Sequence, residues 1–357
     1  MYKSSKKWWL ISLAIALIIC LGIGTMVAVI DPYFHYHKPL ENMYYKLDNE
    51  RSQNDGIIKN FDYDAIVTGT SMAQNFKTSQ VDEIFDSKSI KVTFAGASYS
   101  EIGDNIAKAL KVNPKVKFVI RPLDYAYLMD DVAETGDAAG TYPTYLYDRN
   151  PFNDVNYLFN KEIAFEICLP MIRDMINGKK AGITSFDDYS NWMSDAQFGP
   201  DAVLADRTEF AAPSINQPYV KELQDSTKRN VRDNVIAVAK ANPDVDFYYY
   251  FTPYSIAWWG HVYEDGTLNR RIDAEKDAIE MMLECDNIHL FSFNTEYDLI
   301  TDLDNYKDEC HHGDWVNTDI LGMIYSGTNQ LTQENYKDYL NQERDFYNSY
   351  DYNSLFE

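Results

Sequence analysis

Ala65-Ile66-Val67-Thr68 is a short apolar, β-branched run, and Gly69-Thr70-Ser71-Met72 ends it with a glycine and the polar start of a helix. A run of that length bounded by a glycine reads as a buried strand feeding a tight turn. The pattern recurs. Ile90-Lys91-Val92-Thr93-Phe94 leads into Ala95-Gly96-Ala97-Ser98, and Val116-Lys117-Phe118-Val119-Ile120 follows a helix expected over 104–111 that stops at Asn113-Pro114. Two more runs, rich in aromatic and β-branched residues, lie at 245–251 and 288–293. Five such strands alternating with helices predict an α/β protein: a three-layer α/β/α sandwich on a central parallel five-stranded sheet.

Residues 220–241 and 271–284 carry apolar side chains at three- and four-residue intervals among charges, so each predicts an amphipathic helix just before one of the late strands. A polar, Tyr-rich helix is expected over 331–350. Between about 130 and 218 the alternation is lost, and Gly, Pro, Asn and Asp recur among aromatic residues. That segment reads as an insertion into one large domain covering 31–357.

The first 30 residues are of another kind. Trp8 to Ile30 is a run of 23 residues without a charge, preceded by Lys3, Lys6 and Lys7. At about 1.5 Å per residue it is long enough to cross a hydrocarbon core of roughly 30 Å. The lysines predict a cytoplasmic N-terminus (1–7), a single transmembrane helix (8–30) and an extracytoplasmic remainder at the cell membrane. The run is longer than a signal-peptide core, and no small-x-small site follows it. Next comes Asp31-Pro32-Tyr33-Phe34-His35-Tyr36-His37, where a charge and a proline should stop the helix and the rings suit the headgroup region.

Of 357 residues, 32 are Lys or Arg and 55 are Asp or Glu, a formal net charge of −23. Without the first 30 residues, which hold three lysines and no acid, 29 basic and 55 acidic side chains leave −26. Such a chain repels phosphate backbones, so no nucleic-acid partner is expected. Disorder is excluded by the supply of core, which includes 28 Tyr and 18 Phe. Cys168, Cys285 and Cys310, the cysteines beyond the apolar run, have no zinc-type or paired spacing. No cofactor and no metal site are expected.

In an open parallel sheet, ligands bind outside the carboxyl ends of the strands, so the chemistry is sought there. Gly69-Thr70-Ser71 places a serine at a helix start, among backbone N–H groups of the kind an oxyanion hole uses. Gly96 lets backbone approach a ligand closely at the second strand end. Asp308-Glu309-Cys310-His311-His312 follows the last strand. Its Asp and His, three residues apart, can converge from one turn, as a general base and the carboxylate that orients it must. The alternatives are a capping serine, and either surface histidines or a metal cluster built from Cys310, His311 and His312. After the fourth strand, Tyr254, Trp258 and Trp259 offer either an aromatic substrate wall or buried core.

Taken together, these residues resemble the SGNH/GDSL hydrolase superfamily over roughly 61–325, with Gly69-Thr70-Ser71 in place of Gly-Asp-Ser. The resemblance implies Ser71 as nucleophile, His311 as base, Asp308 as its orienting carboxylate, and the N–H groups of Ser71 and Gly96 as part of the oxyanion hole. It departs from the family after the third strand. Where Gly-x-Asn-Asp would supply an Asn donor, this chain has Arg121-Pro122-Leu123-Asp124. An ionised Asp124 there would repel an oxyanion unless it is protonated or Arg121 reaches in. Membrane-anchored relatives of this kind serve teichoic-acid D-alanylation and polysaccharide O-acylation. The resemblance therefore implies an esterase or acyltransferase, a cell-envelope glycan or acyl-ester substrate, and a membrane-bound O-acyltransferase as partner. A catalytically inactive glycan-binding or scaffold protein is the other expectation.

Overall fold

The computed structural model describes residues 2–130, 142–205 and 207–357, so part of the segment expected as an insertion lies outside the described residues. The chain divides into two compact units, Met1–Phe61 with Ala138–Ser185, and Asp62–Asp137 with Phe186–Glu357.

In the first unit the helix Tyr2–Ile30 contains a stretch, Lys6–Ile30, long and apolar enough to cross a membrane. It ends at Asp31, whose left-handed backbone (φ 49°) turns the chain aside. The buried Asp31 carboxylate accepts the backbone N–H groups of His35, Tyr36 and His37 at 2.9, 2.7 and 2.9 Å. It also accepts the Tyr157 hydroxyl at 2.8 Å, which ties the end of the helix to the segment Val155–Leu158. Tyr44–Tyr45 pairs in parallel with Gly182–Ile183, and the π segment Ile163–Cys168 that opens the helical run 163–176 packs against the first helix.

The second unit holds the sheet. Its strands are β1 (Ala65–Gly69), β2 (Ser89–Thr93), β3 (Phe118–Leu123), β4 (Asp246–Phe251) and β5 (Ile288–Ser292). They are all parallel, in the order β2-β1-β3-β4-β5, so the expected parallel five-stranded sheet is present. The order reverses between β1 and β3, and this switch point is where a doubly wound sheet opens its crevice.

Side chains alternate across the strands. Ala65, Val67, Ile120, Tyr250 and Phe291 join one cluster with Val81, Val316, Ile320 and Ile324, from the helices Thr78–Phe85 and Asp314–Ser326. Burying each large apolar side chain there stabilises the fold by about 1.5–3 kcal/mol. The opposite face meets Tyr99–Val112, 221–241 and Leu268–Met282. Gly103 lets the first two come so close that a Cβ would lie 2.7 Å from the Asn234 carbonyl oxygen. The expected helix 220–241 is one continuous run whose middle, Arg232–Ile236, has π geometry.

The helices Leu268–Met282 and Tyr336–Ser349 bring two fully buried carboxyl groups together, Glu275 and Glu343. Asn294 Nδ2 donates to Glu343 at 2.9 Å, and the Tyr339 hydroxyl donates to Glu275 at 3.3 Å. Burial is the main force raising both acids, Glu343 to about 7 and Glu275 well above its ordinary value of 4.5. The folded state therefore holds protons that the unfolded chain has released above 4.5. Stability should fall as pH rises from about 4.5 through 7, in denaturant titrations across that range, and Glu343→Gln should flatten the slope.

Candidate active site

The serine is placed by the turn that ends β1. Gly69 has φ 149°, and a Cβ there would lie 2.8 Å from Pro122 Cγ, so only glycine fits against β3. Thr70 follows, and its side-chain oxygen accepts the Met72 N–H at 3.3 Å while donating its proton to Asp124 at 2.7 Å. Ser71 then opens the 3₁₀ turn Ser71–Ala73 and stays partly exposed. After β2, Gly96 adopts φ 65° and Ser98 caps the helix Tyr99–Val112. Among the described residues, no acceptor meets the backbone N–H of Ser71 or of Gly96.

His311 comes from the far end of the chain, on a turn fastened to the loop after β4. The Glu309 carbonyl accepts the Ser255 N–H at 3.0 Å and the Ser255 hydroxyl at 2.8 Å, and the Tyr306 hydroxyl donates to the Pro253 carbonyl at 3.0 Å. Inside the turn, Asp308 accepts the N–H groups of Cys310 and His311 at 2.9 and 2.7 Å. His311 Nδ1 faces Asp308 Oδ2 at 2.8 Å, and Nε2 faces Ser71 Oγ, also at 2.8 Å. Burial alone would raise the Asp308 carboxyl. The hydrogen bonds from the His311 ring and the two backbone N–H groups outweigh it and hold the group below its ordinary value. Ser71, His311 and Asp308 thus form one hydrogen-bonded chain across 240 residues of sequence.

The neighbouring His312 is fully buried, and burial depresses it to about 4, so it is neutral near pH 7. Among the described residues no group of three His, Cys, Asp or Glu side chains could hold a metal ion.

The residues expected at the edge of the site are deeper than the sequence suggested. Arg121 does not reach toward the serine. It is fully buried, donates to the Asn234 and Tyr99 carbonyls at 3.1 and 3.4 Å, and lies over the Tyr99 ring. Asp124 is buried as well, and both its oxygens are engaged, by the Thr70 hydroxyl and by the Tyr254 hydroxyl at 2.6 Å. Burial raises its carboxyl, against the pull of those two hydrogen bonds. Tyr254, Trp258 and Trp259 make core rather than an open wall. Trp259 stacks on Tyr347 at 4.0 Å, and Trp258 packs edge-on against Tyr254. The helix they start, Ile256–Glu264, is capped by Ser255 and turns both indoles inward.

The aromatic residue that does stand beside the serine is Trp192, which sequence reasoning missed. Its ring meets His311 edge-on at 5.6 Å, and its indole N–H donates to the Ser71 carbonyl at 3.4 Å. Lys307 lies over the ring, its Nζ 3.7 Å from the centroid. No local pattern marks Trp192, because it sits in an irregular segment and reaches the site through contacts 117 and 121 residues away.

Fold and geometry together define an α/β protein with a parallel five-stranded sheet and a Ser–His–Asp hydrogen-bonded chain at its carboxyl edge. No family model matches the sequence, and no curated protein matches it. Among solved structures the chain is similar to one described as "a putative platelet activating factor from Streptococcus pneumonia", at 9% identity and a TM-score of 0.37, covering 82% of this chain and 91% of that one. So slight a likeness carries no argument about activity.

Thr70→Val should leave a buried Asp124 oxygen without its donor and cost about 1–3 kcal/mol of stability. Thr70→Ser, which keeps the hydroxyl, should cost far less. Equilibrium denaturation of the three proteins side by side checks this.

Proposed function

We propose that this protein is a membrane-anchored, extracytoplasmic serine esterase or O-acyltransferase of SGNH type. The single observation that carries the proposal is the unbroken contact from Ser71 Oγ through the His311 ring to the Asp308 carboxylate, at 2.8 Å on each side. In this reading Ser71 Oγ attacks the carbonyl carbon of an acyl ester, and His311 Nε2 takes the proton. The negative charge that develops on the carbonyl oxygen is met by the N–H groups of Ser71 and Gly96. The intermediate collapses as His311 returns the proton to the departing alcohol, which leaves an acyl-serine. Water or a sugar hydroxyl, deprotonated by the same ring, then takes the acyl group. Asp308 holds the Nδ1–H tautomer and stabilises the charged ring.

Asp124 bears on the strength of the oxyanion site. Its two oxygens are committed to Thr70 and Tyr254, so it supplies no donor to the oxyanion, and Arg121 does not replace one. A missing donor costs about 2.7–4 kcal/mol of transition-state stabilisation. That specific loss favours, as a second reading, a catalytically inactive domain that binds glycan or scaffolds an assembly. For the active reading, the substrate class is an acyl ester of a cell-envelope glycan or teichoic acid, with a membrane-bound O-acyltransferase as partner. This follows from the family resemblance and from the apolar N-terminal helix, which would hold the domain at the outer membrane surface.

A fluorophosphonate probe should label the protein at Ser71. Ser71→Ala should remove the label, and His311→Ala should slow labelling by a factor of about 10⁴ or more, with circular dichroism unchanged in both. A folded wild type that takes up neither the probe nor small activated esters would leave the binding reading in its place.

A further inference from the structure

The helical run 163–176 packs one side against protein and leaves the other bare. Its inner side chains, among them Ile167, Pro170 and Met171, line a cavity of about 300 Å³ together with Tyr44 and Tyr45. On its outer side Phe165, Leu169 and Ile176 are 53, 42 and 74% exposed, with Ile172 half-buried between them. These four follow one another at intervals of four, three and four residues, so they form a single apolar stripe along the helix. A stripe of that kind facing water is rare, because each large side chain left bare forgoes about 1.5–3 kcal/mol of burial.

The first unit itself indicates what covers it. The π segment Ile163–Cys168 and the turn Val155–Leu158 both pack against the N-terminal helix. The level of that contact is fixed at Gly24, where a Cβ would lie 3.3 Å from the Phe159 ring. Gly24 is six residues before Ile30, or about 9 Å along the helix axis at 1.5 Å per residue. Phe159, itself 49% exposed, therefore sits beside the last third of the apolar stretch rather than beyond its end. Where that stretch crosses a bilayer, this level lies inside the outer leaflet, since half a hydrocarbon core is about 15 Å. Apolar side chains at that depth meet acyl chains. Lys161, Glu162, Glu166 and Arg173, all exposed on or just before the same run, would reach past the stripe to the headgroups.

We infer that the helical run 163–176, with Phe159 before it, is an interfacial element embedded in the outer leaflet, so that the first unit is seated in the bilayer by two elements rather than tethered by one. The inference rests on the reading of Lys6–Ile30 as a membrane span, and the occupant of the stripe is lipid. Two seats fix the tilt of the unit relative to the membrane plane, which a lone span leaves free.

The test uses the full chain reconstituted in phosphatidylglycerol–phosphatidylcholine nanodiscs, with p-benzoylphenylalanine placed singly at Leu17, Phe165, Leu169, Ile176 or Tyr325. All five positions are exposed, so the photoprobe should not disturb folding. Lipid adducts, read by mass spectrometry, are expected at Leu17 and at comparable yield at Phe165, Leu169 and Ile176, and at background yield at Tyr325. Adducts at Leu17 with background yield at the other three would overturn the interfacial helix and leave the span standing. Background yield at Leu17 as well would remove the span, and the inference with it.

Discussion

The Asp124 carboxylate is the point on which the carboxyl edge of the sheet depends. It accepts from Thr70, just after β1, and from Tyr254, just after β4, while its own carbonyl accepts the Tyr99 hydroxyl at 3.1 Å, from the helix that follows β2. Asp124 itself follows β3. One buried residue thus joins the ends of four strands on the side where Ser71 emerges. A buried acid is stable only when its oxygens are paired, and here pairing it and aligning the strand ends are the same act. The site has the geometry it has because this group must be satisfied.

A second fastening works on the histidine side. The Glu309 carbonyl, held by Ser255, fixes the 308–311 turn to the loop after β4, and the same loop carries Tyr254. Ser71 and His311 are therefore tied by short routes to a common anchor. The contact between them relies on rigid strand ends more than on the flexible side chains of the turn. Preorganisation of this sort is what acyl transfer requires of a nucleophile and its base.

Much of this was legible in the sequence. Four residues of β1 and the glycine after them identified a buried strand, and the five-strand parallel sheet followed from repetition of that pattern. Ser71 and Gly96 were legible because each lies two or three residues past a strand, whereas Asp308 and His311, 16 and 19 residues past β5, were legible from their spacing of three. What stayed open was direction. Tyr254, Trp258 and Trp259 are aromatic at the correct edge, but whether a ring at a helix start faces in or out depends on what packs above it, here Tyr347 from the last long helix. Arg121 and Asp124 were singled out because they stand where the resembled family carries an Asn donor; Arg121 instead satisfies buried carbonyls and Asp124 buried hydroxyls. Trp192 and the division of the chain into two units depend on contacts more than 100 residues apart, and no window of sequence contains them.

The bond between Asp31 and the Tyr157 hydroxyl spans 126 residues. During synthesis at about 5–20 residues per second, the two partners are made roughly 6–25 s apart. The apolar helix and its capping turn thus emerge well before the segment that packs against them, and the first three strands of the sheet are made in between. The oldest part of the chain therefore waits for its neighbours, though not as long as Ser71, whose partner His311 is made 240 residues after it.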